Sequence, residues 1–277
     1  MLKKIKIALR QICPPFFYTI LRGLQKRKYS FFDGNYKTWN DALKNTQEGY
    51  EAKKIFKKVY DASLRVQKGK ALYERDGICF NKEQYRWPVI SMIIQAEKKI
   101  DVLKHFHVLD FGGSLGSFYN QHHKLLTNIK KLKWSIVEQD HFVKKGKEEF
   151  ENNTLKFYST IDECSQTMQP NLALFSSVIQ YIEEPYEILE QLILSSPETI
   201  IIDRTPFINS EHDTVKLQYL SQEMGGAIYP SWFFSEKKFL NFFNSHGYKK
   251  FLSFECEEDF GVGKFKGIVL KKTKMAL

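Results

Sequence analysis

The chain of 277 residues has little of what staples or anchors a small protein. Its four cysteines, Cys13, Cys79, Cys164 and Cys256, include no Cys-x-x-Cys pair. That scatter argues against a zinc framework or a disulfide scaffold and suits a reducing cytoplasm. No metal site is expected. Long apolar runs are missing too, because Pro14-Pro15 divides the apolar residues near the start into pieces too short to span a bilayer. No small-residue cleavage site follows them, which argues against a signal peptide. There are no internal repeats and no low-complexity tracts. Residues 1–28 contain no acid at all.

What the chain does have is apolar material, aromatic rings and positive charge. A hydrophobic fraction of 43% and an aromatic fraction of 15% fit a folded protein. The net charge is +10, and much of it sits early, on Lys3, Lys4, Lys6, Arg10, Arg22, Lys26, Arg27 and Lys28. Leu2, Ile5, Ile7, Leu9, Ile12, Phe16, Phe17 and Tyr18 are interleaved with them. Such a segment suits the surface of an anionic membrane, at about 1 kcal/mol per base. It equally suits a basic helix packed on its own domain. Nucleic acid is a weaker candidate, since no recognisable nucleic-acid fold motif accompanies the charge.

The densest signal lies at Phe106-His-Val-Leu-Asp-Phe-Gly-Gly-Ser-Leu-Gly-Ser-Phe118. An apolar strand ends in Asp110, and Gly112, Gly113 and Gly116 lead into a helix. Glycines at such a turn let the backbone come close to a ligand, at the end of the sheet where open α/β folds bind. Trp134-Ser-Ile-Val-Glu138 is a second apolar strand ending in an acid. Glu138 follows Gly116 at close to the roughly 20-residue spacing of a ribose-binding carboxylate. A nicotinamide-binding unit would use the same acid, but its glycine pattern fails at Ser114 and Ser117.

These two motifs resemble those of class I S-adenosylmethionine (SAM)-dependent methyltransferases. Asp110, Gly112 and Gly116 match the first motif, and Ser114 stands where the middle glycine falls. The resemblance implies SAM as cofactor, held by Asp110, Gly112, Gly113, Ser114, Gly116 and Glu138, with Ser176 and Ser177 bordering it.

From residue 106 onward, apolar strands alternate with amphipathic helices, as in a doubly wound parallel sheet. Strands are expected at 106–111, 133–138, 154–158, 171–177 and 198–203. Helices are expected near 117–130, 141–150, 161–167, 184–194 and 235–246. Strands 248–256 and 264–272 read as a terminal antiparallel hairpin. The fold class is therefore α/β, a Rossmann-like, mostly parallel sheet of seven strands with that hairpin and an N-terminal helical extension. The expected domains are a basic segment 1–30, the extension 31–105 and a SAM-binding domain 106–277 with a lid-like insertion 205–235. Within the extension, Phe31–Asn40 reads as a turn-rich connection in which Thr38 caps a helix from Trp39. Helices follow at 48–68 and 83–103, the latter bent at Pro88.

Chemistry is expected where strands four and five end. By the family resemblance, the loop after Ser176-Ser177 borders both cofactor and acceptor, which places Gln180 and Tyr181 at the acceptor, unless the two simply pack against the helix that follows. Ile200-Ile-Ile-Asp203-Arg204 marks a buried strand that ends in a charged pair. Asp203 suits a general base and Arg204 an anion-binding fork, or the two close the sheet as a salt bridge. His212, between Glu211 and Asp213, is a second base candidate or, equally, a solvated loop histidine. Tyr229 and Trp232 offer faces for a sugar ring, or plug the core.

Phe32-x-Gly-x-Tyr-x-x-Trp39, Asp110-Phe-Gly-Gly-Ser-Leu-Gly, Asp203-Arg-Thr-Pro-Phe and Tyr229-Pro-Ser-Trp are together similar to a narrower bacterial family. Its methyltransferase-like proteins are encoded among O-antigen and capsule genes. That likeness implies O-methylation of a glycan, a sugar-nucleotide or a lipid-linked sugar, in the cytoplasm or on the inner face of the membrane. An RNA methyltransferase and a non-catalytic scaffold are the alternatives. No Asn-Pro-Pro-Tyr or cysteine-based catalytic motif supports the first. The departures Ser114 and Asn171 leave room for the second.

Overall fold

The structure, a computed structural model of the chain, describes residues 30–46, 52–220, 226–257 and 262–273. The basic segment 1–28 and the middle of the 205–235 insertion lie outside them.

Five apolar strands, each ending near a polar turn, build the centre: β4 (Phe106–Phe111), β5 (Leu132–Val137), β6 (Leu155–Tyr158), β7 (Leu172–Ser176) and β8 (Thr199–Ile208). Four of them are buried almost end to end, as parallel strands covered on both faces must be. They run parallel in the order β6-β5-β4-β7-β8. Beyond β8 comes the antiparallel strand β12 (Lys264–Lys272), and beyond that β11 (Tyr248–Glu255). This is the expected Rossmann-like methyltransferase sheet with its C-terminal hairpin.

Side chains alternate across the sheet, and each face has its own helices. Leu172, Leu174 and Ile201 pack with α2 (Ala52–Gln67), α3 (Trp87–Glu97), α4 (Ser117–Leu126) and α5 (Asp140–Glu149). Ala173, Phe175, Ile200 and Ile202 face the opposite way. They meet α6 (Ile161–Thr167), α7 (Pro185–Leu194) and α8 (Glu236–Ser245). Most of these helices begin and end within a few residues of their expected places. Pro88 does not bend α3; it lies in the first turn, where its missing N–H costs nothing.

Among the described residues the sheet has ten strands rather than seven. The turn-rich reading of 31–40 is corrected first. Ser30–Tyr36 is strand β1, followed by the short helix α1 (Trp39–Leu43), which Thr38 caps as expected. The described part of the 205–235 insertion is also strand: the end of β8, then β9 (Thr214–Leu220) and β10 (Ile228–Ser235). β1, β9 and β10 form an antiparallel trio, and β10 joins the end of β8 through Phe234 and Ser235 beside Phe207 and Ile208. A hairpin of β2 (Tyr73–Arg75) and β3 (Ile78–Phe80) adds to the extension, which is therefore not wholly helical.

Candidate active site

The carboxyl ends of β4, β5, β7 and β8 bring most of the predicted residues together. After β4 the chain turns through Gly112, whose φ is +69° and whose added Cβ would lie 2.4 Å from Val178 Cγ2. A Cβ on Gly113 would lie 2.6 Å from Asp110 Oδ2. The loop is thus pressed onto β4 below it and onto the end of β7 beside it. Ser114 occupies the glycine-like region at φ +57°, which explains why a glycine suits this place. Its hydroxyl is buried without a hydrogen-bond partner. Gly116 then opens α4 from a left-handed N-cap.

Two carboxyls back this loop. Asp110 accepts the indole N–H of Trp134 at 3.1 Å. Burial pushes it up to about 7, Glu138's charge adding and Arg204's opposing. Glu138 accepts the N–H of Gln139 at 2.7 Å and that of Ser114, and burial raises its pKa as well. The expected ribose acid is therefore tied to the glycine turn itself. Asn171, the other departure from the family pattern, has no place here. Its side chain accepts the N–H of His107 at 2.8 Å at the opposite, amino end of the strands.

Around β8 the predicted residues form a second cluster. Asp203 is fully buried. Arg86 grips it with both Nε, at 3.2 Å, and a terminal nitrogen, while Ser176 donates its hydroxyl at 2.9 Å. Cys256 Sγ lies 3.7 Å from the same carboxylate, and Arg204 Nε 3.8 Å. Ser177 donates its N–H to the Asp203 carbonyl at 2.9 Å. Buried Gln180 donates to Ser177 Oγ and to the Arg204 carbonyl, both at 3.3 Å. Tyr181 donates to Gln218 at 2.8 Å and meets Tyr229 edge to face, centroids 5.3 Å apart. Burial pushes the Tyr181 phenol up to about 12. Trp232 donates to the Ile182 carbonyl at 3.0 Å, and its ring stacks with Trp39 and Phe234.

His212 is not brought to this cluster. It is exposed in the turn between β8 and β9, where its N–H bonds locally to Ser210. The acids expected to hold its imidazolium are engaged elsewhere, Glu211 with Lys237 and Asp213 with Lys238.

Three further residues, Arg86 and Glu74 of the extension and His122 of α4, belong to the site and escape sequence reading. Arg86 is the partner of Asp203. His122 accepts the Arg86 N–H on Nε2 at 2.9 Å, so its proton is on Nδ1, which donates to the Phe118 carbonyl at 2.8 Å. Burial pushes His122 down to about 4. Glu74, from the β2–β3 hairpin, accepts the hydroxyl of Ser117 and the N–H of Gly77. Burial pushes it up to about 7. Only the hairpin had a sequence signal: Asp76-Gly77, both at positive φ, is a two-residue turn pair.

No family model matches the chain, and no curated protein matches it. Solved structures resemble it faintly. A 1,6-didemethyltoxoflavin-N1-methyltransferase from Burkholderia thailandensis is 11% identical at TM-score 0.41, covering 82% of this chain and 92% of its own. A magnesium protoporphyrin IX methyltransferase from Synechocystis PCC 6803 is 10% identical at 0.45, covering 82% and 100%. An amino pentose methyltransferase from Micromonospora echinaspora is 11% identical at 0.46, covering 78% and 97%. Likenesses this faint say nothing of what this chain binds. Its own strand order and glycine turn define the fold as the Rossmann-like methyltransferase sheet.

Proposed function

We propose that the protein is a SAM-dependent methyltransferase that O-methylates a sugar or glycan precursor in surface-polysaccharide synthesis. The observation that carries this is the joining of Ser114 and Glu138 across one glycine turn. A buried hydroxyl without a partner and a carboxylate oriented by backbone N–H groups suit a ligand rich in hydroxyls and amines. In this reading the turn from Gly112 to Gly116 holds the amino-acid end of SAM, and Glu138 accepts hydrogen bonds from its ribose. SAM supplies an activated methyl group on a sulfonium.

The chain's own contribution is placement. Ser177, Gln180, Tyr181 and Arg204 line the acceptor side, with Tyr229 beside Tyr181. Asp203 acts as a positioning residue, because its oxygens already serve Arg86 and Ser176. It fixes the extension over the ends of β7 and β8. Asp203→Asn is expected to slow turnover while leaving the affinity for S-adenosylhomocysteine nearly unchanged. His212 takes no part, and His212→Ala is expected to leave turnover as it is. The acceptor is a glycan, a sugar-nucleotide or a lipid-linked sugar. Residues 1–28 provide peripheral contact with an anionic membrane. Among the described residues no helix is long and apolar enough to cross one.

Calorimetry tests the cofactor reading. The wild type is expected to bind S-adenosylhomocysteine, and Glu138→Ala to bind it at least about tenfold more weakly, the worth of a charge-assisted hydrogen-bond pair. Tight NADH binding without any response to S-adenosylhomocysteine would overturn it. Mass spectrometry of surface glycans from wild-type and deletion cells tests the acceptor, through loss of a methyl group.

A further inference from the structure

The amino ends of the parallel strands carry a surface that the proposed reaction does not use. Between α3 and β4 the chain makes a tight turn. Asp101 Oδ1 accepts the N–H of Leu103 at 2.8 Å, and the Asp101 carbonyl accepts that of Lys104 at 2.8 Å. From the neighbouring α4–β5 loop, Lys131 Nζ donates to the Leu103 carbonyl at 2.8 Å. The turn is thus pinned from both sides, and what it holds outward is aliphatic. Val102 is 81% exposed and Leu103 78%.

Cations ring this tip. Lys98, Lys99, Lys104, Lys130 and Lys131 are all exposed, and none forms a salt bridge among the described residues. The positive field continues onto β12. Burial and the charge of Lys99 both lower the pKa of Lys271, whose ammonium lies 3.3 Å from the ring centroid of half-exposed Phe251. Asp101 is the one acid in the turn, and its side chain is spent on closing it.

We propose that this face docks on an anionic lipid bilayer, with Val102 and Leu103 entering the interface and the lysines meeting the headgroups. Adjacent aliphatic side chains held into water cost free energy that an acyl boundary recovers, and lysines without a salt bridge gain from anionic lipid. The other occupants fit less well. A second copy of this face, or the acid-free segment 1–28, would bring positive charge against positive charge. Nucleic acid satisfies the lysines but offers nothing to the valine and leucine. This docking is independent of the cofactor reading and of residues 1–28.

The full chain tests it by sedimentation with phosphatidylcholine vesicles containing about a third phosphatidylglycerol. Val102→Asp/Leu103→Asp is expected to cut the bound fraction about tenfold or more while leaving thermal unfolding and S-adenosylhomocysteine affinity unchanged. Hydrogen exchange of the wild type is expected to show residues 98–106 protected by these vesicles and not by pure phosphatidylcholine. Binding of the double variant equal to wild type overturns the proposal, because residues 1–28 would then carry all the attachment. So does absence of protection at 98–106. A duplex RNA that protects 98–106 more strongly than the vesicles reassigns the face to nucleic acid. Failure to bind S-adenosylhomocysteine would overturn the methyltransferase reading alone.

Discussion

Three acids on the glycine side and Asp203 on the β8 side lie at the carboxyl ends of the strands, and they are held by opposite means. On the glycine side, Asp110, Glu138 and Glu74 accept from neutral groups only: an indole, backbone N–H groups and a hydroxyl. All three have raised pKa values. On the β8 side, Asp203 has a guanidinium. Burial works against the charge of Arg86, but Asp203 beside it outweighs this and keeps Arg86 firmly protonated. Neutral donors orient a carboxyl without offsetting its desolvation, whereas a buried cation offsets much of it. The glycine side is thus arranged to receive positive or hydroxyl-rich groups from outside. Asp203 is already satisfied, and its pair with Arg86 serves to lock the extension onto the sheet.

The strongest way to break this contrast is Arg86→Ala, which strands a buried carboxylate. A loss of about 3–5 kcal/mol in urea unfolding is expected. Adding Asp203→Asn to the same chain is expected to recover part of that loss. Equal stability of the single variant and wild type would mean that the pair does not lock the extension.

Next in size are two opposed pH effects. His122 has a depressed folded pKa, about 4 against an ordinary 6.5. Below pH 6.5 the unfolded chain takes up a proton that the folded one refuses. Stability from this group is therefore present above 6.5 and falls by about 3 kcal/mol as pH drops towards 4. Asp110 runs the other way, its folded pKa of about 7 lying above the ordinary 3.8. Its contribution is present below about pH 4 and is lost as pH rises to 7. Unfolding midpoints across pH 4–7 are expected to show Asp110→Asn gaining on wild type by a few kcal/mol as pH rises. A parallel pair of curves would show that the loop's acid is not desolvated.

The smallest effect sharpens the role of the glycine turn. Ser114→Gly relieves a left-handed side-chain-bearing residue and is expected to stabilise the fold by up to about 1 kcal/mol. It also removes the buried hydroxyl, so S-adenosylhomocysteine affinity is expected to fall slightly in the same calorimetry. A variant that binds more tightly would show that the hydroxyl is not a ligand.

The glycine side was legible because its residues are neighbours in sequence. The strand, its terminal acid, the glycines and the acid of the next strand fall at fixed spacings in one β-α-β unit, and periodicity located nearly every central strand and helix. The β8 side was half legible. Asp203 announced itself as a charge ending a run of isoleucines, but its partner Arg86 lies more than a hundred residues earlier, at the start of an expected helix where nothing marks it as a partner. His122 looked like one more polar position on an amphipathic helix. For His212, local sequence showed two flanking acids and not the lysines of α8 that engage them. Strands β1, β9 and β10 alternate too weakly among turn residues to be told from loop, and only pairing with one another defines them. The exposed pair Val102-Leu103 reads in sequence as the end of the helix expected over 83–103; in three dimensions that helix stops at Glu97 and the pair is turned outward.

The pairing of β1 with β9 also sets an order of assembly. Ser30 finds its partner at Leu220, while β4, β5, β6 and β7 find theirs within a much shorter stretch of chain. Closing so long a loop costs entropy that local contacts do not repay, so distant pairings form late. On the ribosome the central strands emerge and can pair while β9 is still unmade, leaving Ser30–Tyr36 with an unmatched edge until then. Of the described strands, the first to leave the ribosome is thus among the last to be placed.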